Sequence, residues 1–186
     1  MANPATDRTA ETAVAETPLP TGQRLRLGFF THLHVGTDAA DSYRLALDLF
    51  AAAEQLGYDS GWVAQHHFLN GSGRLPSTLT FLAAAAERTR RIRLGTAIVI
   101  LPLEDPVRVA EDAAVVDTLS GGRLELGLGT GGDPLTFAAL GQDLATRRER
   151  YAEGLRVIQN ALAGGPINGT AARLYPPAPT DRKSVV

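Results

Sequence analysis

The chain has 186 residues, 44% of them hydrophobic and 20% charged, with a formal net charge of −2. That composition belongs to a folded globular chain long enough to bury a core, and nothing in its near-neutral balance suggests a surface built for nucleic acid or an anionic membrane. No cysteine occurs, which removes disulfides, thiolate catalysis and thiolate metal sites, and no apolar run reaches the length of a membrane span.

Residues 1–23 are rich in Ala, Thr and Pro and show no periodicity. They lack the apolar core of a secretory signal, and Asp7, Glu11 and Glu16 argue against a transit peptide. They read as a disordered tail on a cytoplasmic protein. Leu25 to Phe30 reads as the first strand and runs into Thr31-His32-Leu33-His34. Ser42 to Leu56 reads as a helix with Leu45, Leu49, Ala52, Ala53 and Leu56 on its apolar face, closed by Gly57. Ser60 to Phe68 is a second strand with polar residues gathered at its end, and Pro76 to Arg90 a second helix containing Ala83 to Ala86.

The next stretch is the most informative. Ile92 to Leu101 is an apolar, β-branched run, as in a strand buried on both faces. Asp105-Pro106 supplies an N-cap acceptor and a proline at the first helical position. Val107 to Leu119 has helical periodicity, and Ser120-Gly121-Gly122 ends it. Leu124 to Gly129 is a short strand entering a glycine-rich turn, so strand, helix and strand form a right-handed βαβ unit. Arg147 to Ala163 is a fourth helix, closed by Gly164-Gly165.

Strands alternating with helices define the α/β class with a parallel sheet, either doubly wound or part of an eight-stranded barrel. Four βα units are about half of a barrel, which takes ~250 residues. The division that follows is a tail over 1–23, a partial barrel over 24–165 and a truncated segment over 166–186. Asp181 to Val186 (DRKSVV) matches the translation of a sequencing-adapter run and reads as read-through on a truncated gene.

All four histidines lie at the C-terminal ends of the first two strands: His32 and His34, then His66 and His67. In a parallel α/β fold that edge is where ligands bind. His32 and His34 suit an exposed loop equally well. As neighbours on a strand, His66 and His67 face opposite ways, and either could be an acid or base near neutral pH or a hydrogen-bonded structural residue. Gly127-Leu128-Gly129-Thr130-Gly131-Gly132 fits the dinucleotide fingerprint weakly, since Asp133-Pro134 follows where a helix should open. A glycine-lined floor beneath a flat ligand is the preferred reading. His32-x-His34 also resembles the first metal ligands of amidohydrolase-type barrels, although no histidine follows His67. The alanines of the second helix, with Ala110, Ala113 and Ala114 of the third, suggest a face covered by a second subunit, hence a homodimer.

Taken together, Trp62-Val63-Ala64-Gln65-His66-His67-Phe68, Gly95-Thr96-Ala97, Leu101-Pro102, Pro106-x-Arg108-x-Ala110-Glu111-Asp112, Asp117-x-Leu119-Ser120-x-Gly122-Arg123 and Gly127-x-Gly129 resemble the bacterial luciferase-like flavin-dependent monooxygenases, over about Leu25 to Leu162. The resemblance implies a (β/α)8 barrel that oxidises an organic substrate with O2 and reduced FMN supplied by a separate reductase. It implies acid/base work for His66 and a supporting role for His67. It also implies a cis peptide at Ala97-Ile98 against which the flavin ring rests, with Gly129 nearby. Arg148 matches an arginine that reaches the flavin phosphate, a role that suits guanidinium geometry. Gln65 stands where luciferase has an acid, and Thr130 where it has a second arginine. The latter leaves coenzyme F420 as a rival cofactor, and a non-catalytic flavin-binding relative as a rival of another class. Because the chain stops before the fifth strand, the parent gene is expected to encode an enzyme and this chain by itself to be inactive.

Overall fold

The structure is a computed structural model that describes residues 25–34, 36–68, 73 and 75–178. The proposed tail and the DRKSVV segment lie outside the described residues. In chain order the elements are β1 (Gly28–Thr31), α1 (Ala39–Gln55), β2 (Ser60–Val63), α2 (Thr78–Arg88), β3 (Arg93–Thr96), β4 (Val99–Ile100), α3 (Pro106–Ser120), β5 (Leu124–Glu125), β6 (Leu128–Gly129), α4 (Pro134–Ala139) and α5 (Arg147–Leu162). Short 3-10 turns occupy Leu101–Leu103 and Leu144–Thr146. No helix among the described residues is long and apolar enough to cross a membrane.

β1, β2, β3 and β5 form one sheet in that order, and β4 pairs with β6 in a second; every pair is parallel. Two predicted strands are each broken in two. The run from Ile92 to Leu101 turns at Ala97-Ile98, a cis peptide bond, and the run from Leu124 to Gly129 is interrupted at Leu126-Gly127. Thr96 bridges the second break: its Oγ1 donates to the Gly127 carbonyl at 2.8 Å and accepts from the Gly127 N–H at 2.8 Å. The predicted second strand stops at Val63, so Gln65, His66 and His67 leave the sheet instead of alternating across it.

The third helix forms as its caps require. Asp105 accepts from the N–H groups of Val107 and Arg108, Pro106 opens the first turn, and Gly121 takes the left-handed conformation at φ 68°. The first helix departs from expectation. Ser42, Ala46, Phe50 and Ala53 face the sheet, whereas Leu45, Leu49 and Leu56 are 48%, 42% and 78% exposed. The Phe50 ring fills the helix–sheet gap by an edge-on contact with Phe29, centroids 4.9 Å apart, and the small residues let the backbone approach. One large aromatic beside three small residues thus outranks a stripe of leucines.

The alanines of α2 and α3 meet within the chain: Ala85, Ala86, Ala110, Ala113 and Ala114 are all buried in its core. Close packing of two adjacent helices accounts for them without a second subunit. The other unexpected element, α4, is a helix of 6 residues started by Asp133, whose carboxylate accepts from the N–H of Thr136 at 2.9 Å. The dipeptide Asp133-Pro134 that counted against a dinucleotide fingerprint is therefore itself a cap and first turn.

Candidate active site

Because every strand is parallel, residues just past the strand ends share one edge. β1 delivers His32, β2 delivers Gln65 and His66, β3 delivers Ala97 and β6 delivers Gly129 and Thr130. Two of the histidines touch. Nδ1 of His32 lies 2.8 Å from Nε2 of His66, with ring centroids 5.1 Å apart. The His66 N–H donates to the Leu75 carbonyl at 2.9 Å. Gly73, at φ 142°, closes over the His66 ring so tightly that a Cβ there would collide with it. Burial pushes the imidazole of His66 below the ordinary histidine value, and its His32, His34 and His67 neighbours push the same way. A neutral imidazole results, able to accept a proton near neutral pH.

Gln65 is buried and fully engaged. Its Nε2 donates to Glu104 Oε1 at 2.8 Å and to the Pro76 carbonyl at 2.9 Å, and its Oε1 accepts from the Ile100 N–H at 2.6 Å. One amide thus ties the end of β2 to β4, to the segment before α2 and to Glu104. A carboxylate at this position could not donate the first two bonds. The Nε2 of His67 is buried without a hydrogen-bond partner. Burial lowers its basicity, opposed in part by the charge on Glu104.

Ala97 and Ile98 are half-buried beside this cluster, with the Ala97 N–H donating to the Val63 carbonyl at 2.8 Å. The glycine row reads differently in three dimensions. Cβ atoms at Gly127 and Gly131 would collide with the Thr96 carbonyl and the Ile100 side chain, and one at Gly129 would lie 2.6 Å from Ile98 Cδ1. The side each residue would fill is occupied by the chain's own β3–β4 segment. The row is therefore a seat for Thr96, Ile98 and Ile100, which corrects the expectation that it is bare floor for a flat ligand. Thr130 is half-buried beyond it, and Arg148 is exposed in the first turn of α5. α5 approaches the same edge through Arg150, whose Nε donates to the Pro102 carbonyl at 3.0 Å.

His34 is exposed, 5.6 Å from His32 by ring centroids. Among the described residues no group of three or more His, Asp or Glu is arranged to hold a metal ion. Sequence reasoning placed His66 at the site but missed the partnership of His32, the role of Glu104 and the closure by Gly73. The end-of-strand position shared by His32 and His66 was the one signal for the first of these.

Parallel strands with titratable and polar residues at their carboxyl ends define an α/β fold with its ligand edge at those ends, and comparison with solved structures makes it part of a (β/α)8 barrel. Residues 25–184 match the family model described as luciferase-like monooxygenase, and the chain belongs to that family. It is 44% identical over 144 residues to 4-hydroxyprotoasukamycin monooxygenase of Streptomyces nodosus subsp. asukaensis, a match covering 76% of this chain and 38% of that protein. Limonene 1,2-monooxygenase of Rhodococcus erythropolis is 36% identical over 131 residues, covering 70% of this chain and 34% of that one. Among solved structures, monooxygenase RslO1 from Streptomyces bottropensis superposes with a TM-score of 0.77 at 30% identity, over 84% of this chain and 51% of that chain. The chain thus spans between a third and about half the length of these relatives.

Proposed function

We propose that this chain carries the histidine-bearing half of a flavin-dependent monooxygenase site, one that oxidises an organic substrate with O2 and reduced FMN. The observation that carries the proposal is the imidazole of His66, held neutral at the strand-end edge beside the half-buried apolar pair Ala97 and Ile98. The residues fit the cofactor. Ala97 and Ile98 offer a flat apolar contact for the ring, flanked by Gly129 and Thr130, and Arg148 offers a guanidinium for the phosphate. When bound, the reduced flavin supplies the electrons that activate O2. His66 holds or accepts a proton beside the reacting atoms, Gln65 fixes the backbone at Ile100, and His67 backs the edge. A relative 28% identical over 145 residues is named as the oxygenase component of a flavin-dependent trigonelline monooxygenase of Acinetobacter baylyi, which supports a separate reductase as partner. Structures using coenzyme F420 share the fold at 24% and 21% identity and carry no argument for that cofactor here.

The boundaries proposed above go with this reading: a tail over 1–23, a partial barrel over 24–165 and a C-terminal tail over 166–186, whose Leu174 packs into the core with Ile167 against it. A homodimer contact through α2 and α3 remains part of this proposal, with Val115 and Leu119 on the exposed face of α3 available to it. Because the chain provides only part of the barrel, binding of FMN by it alone should be weak. Amide NMR of the labelled chain titrated with millimolar FMN should shift the signals of Ala97, Ile98 and His66 and leave the far ends of the strands unmoved. A folded sheet with those signals unmoved would overturn the proposal.

A further inference from the structure

The contact between the two histidines has a consequence that depends only on valence. At 2.8 Å, Nδ1 of His32 and Nε2 of His66 are joined by one hydrogen: one nitrogen donates and the other accepts. The bond survives when the pair is neutral and when it holds one extra proton. A second extra proton would put hydrogens on both facing nitrogens and break it. The surroundings hold the pair in place. The Phe30 ring meets His32 edge-on, 4.6 Å between centroids at 78°, and the backbone of Gly73 caps the His66 ring. Titratable groups acting on His66 are His32, His34 and His67, and Glu104 acts on His67 from the turn after β4.

We propose that His32 is the positioning partner and proton acceptor of His66. It commits Nε2 of His66 to the shared hydrogen, so that Nδ1 of His66 is the nitrogen that works on a bound molecule. In the direction of proton uptake the step balances as follows. With His66 carrying its hydrogen on Nε2 and His32 on its own Nε2, Nδ1 of His66 takes a proton from the reacting molecule. The Nε2 hydrogen of His66 moves to Nδ1 of His32, and His32 releases the proton on its Nε2 to water. His66 is left neutral with its hydrogen on Nδ1. His34 lies exposed beside His32, with ring centroids 5.6 Å apart. The catalytic meaning of the pair rests on the reading of His66 as the acid/base group; the pairing itself does not.

The test uses this chain with 15N-labelled histidines and needs no flavin. A nitrogen–nitrogen coupling across the hydrogen bond should connect His32 Nδ1 to His66 Nε2 at neutral pH, and the two rings should take up protons in two separated steps. His32→Asn can still accept the Nε2 hydrogen of His66 through its amide oxygen but cannot titrate. It should keep His66 in the Nε2–H form and turn its titration into a single step at higher pH than in the parent. His32→Phe should abolish the coupling and leave His66 a mixture of tautomers. Absence of the coupling, with His66 titrating identically in parent and His32→Asn, would overturn the proposal. FMN added to the same samples reports separately on the flavin site, so failure there is not confused with failure of the pair.

Discussion

His66 and His67 both have basicity lowered by burial, and that has a sign that can be measured. A histidine whose folded value lies below its ordinary 6.5 binds protons more readily when unfolded. Its contribution to stability is complete above 6.5 and is lost as pH falls through the folded value. Urea denaturation between pH 7.5 and pH 5 should show stability falling with pH, and His67→Phe should flatten part of that slope. Gln65 gives a second residue-scale prediction. Gln65→Glu removes two donated bonds and sets a second carboxylate against Glu104, so one of the two acids must be raised. Stability should fall by about 1–3 kcal/mol at neutral pH, and less at pH 5 where the shared acid is protonated. Denaturant midpoints at the two pH values check it. The histidines were legible as strand-end residues because four of them crowd one edge. Their pairing was not, because a separation of 34 positions between His32 and His66 hides a contact that only the parallel register of β1 and β2 creates.

At the scale of elements, caps were readable and breaks were not. Asp105, Pro106 and Gly121 announce the ends of α3 by local chemistry. The division of β3 from β4 at Ala97-Ile98 is not legible in hydrophobicity, which reports burial and not backbone direction; only the family resemblance implied the cis peptide there. Gly127 and Arg123 show what holds these pieces together. A Cβ at Gly127 would meet the Thr96 carbonyl, a backbone atom with no rotamer to escape into. Gly127→Ala should therefore cost about 1–3 kcal/mol or more by overpacking, whereas Gly132→Ala, with open space around it, should change little. Thermal melts of the pair decide it. Arg123 is buried and donates to the carbonyls of Ala86, Thr89, Ile92 and Ser120 and to Thr89 Oγ1. It closes the end of α2 against the starts of β3 and β5, a task no periodicity reveals. At the same end, Glu54 gathers the N–H groups of Arg90, Arg91 and Ile92, which outweigh the opposing effect of burial and keep its carboxyl below the ordinary value. Arg123→Met would strand several buried acceptors and should cost ~3 kcal/mol or more.

Across the whole molecule, the first-helix correction becomes an argument about association. β1 is an edge strand, paired only with β2 among the described residues. Outside it, Leu45, Leu49 and Leu56 point away from the core at helical spacing, and Leu25 and Leu27 before β1 and Phe30 within it are exposed. An open edge beside unpartnered leucines invites contact with another polypeptide. The leucines contribute little to the stability of the chain itself, because their neighbours Ala46, Phe50 and Ala53 do the packing. The two roles separate experimentally. Leu45→Lys with Leu49→Glu should suppress concentration-dependent association in light scattering while moving the unfolding free energy by less than about 0.5 kcal/mol. Phe50→Ala, which removes a fully buried ring from between α1 and the sheet, should cost about 3–5 kcal/mol and leave the surface leucines where they are. If instead the leucine pair proved as costly as Phe50, the helix would have to be rotated by roughly a quarter turn or more from the orientation described, and the assignment of its inner face would fail with it.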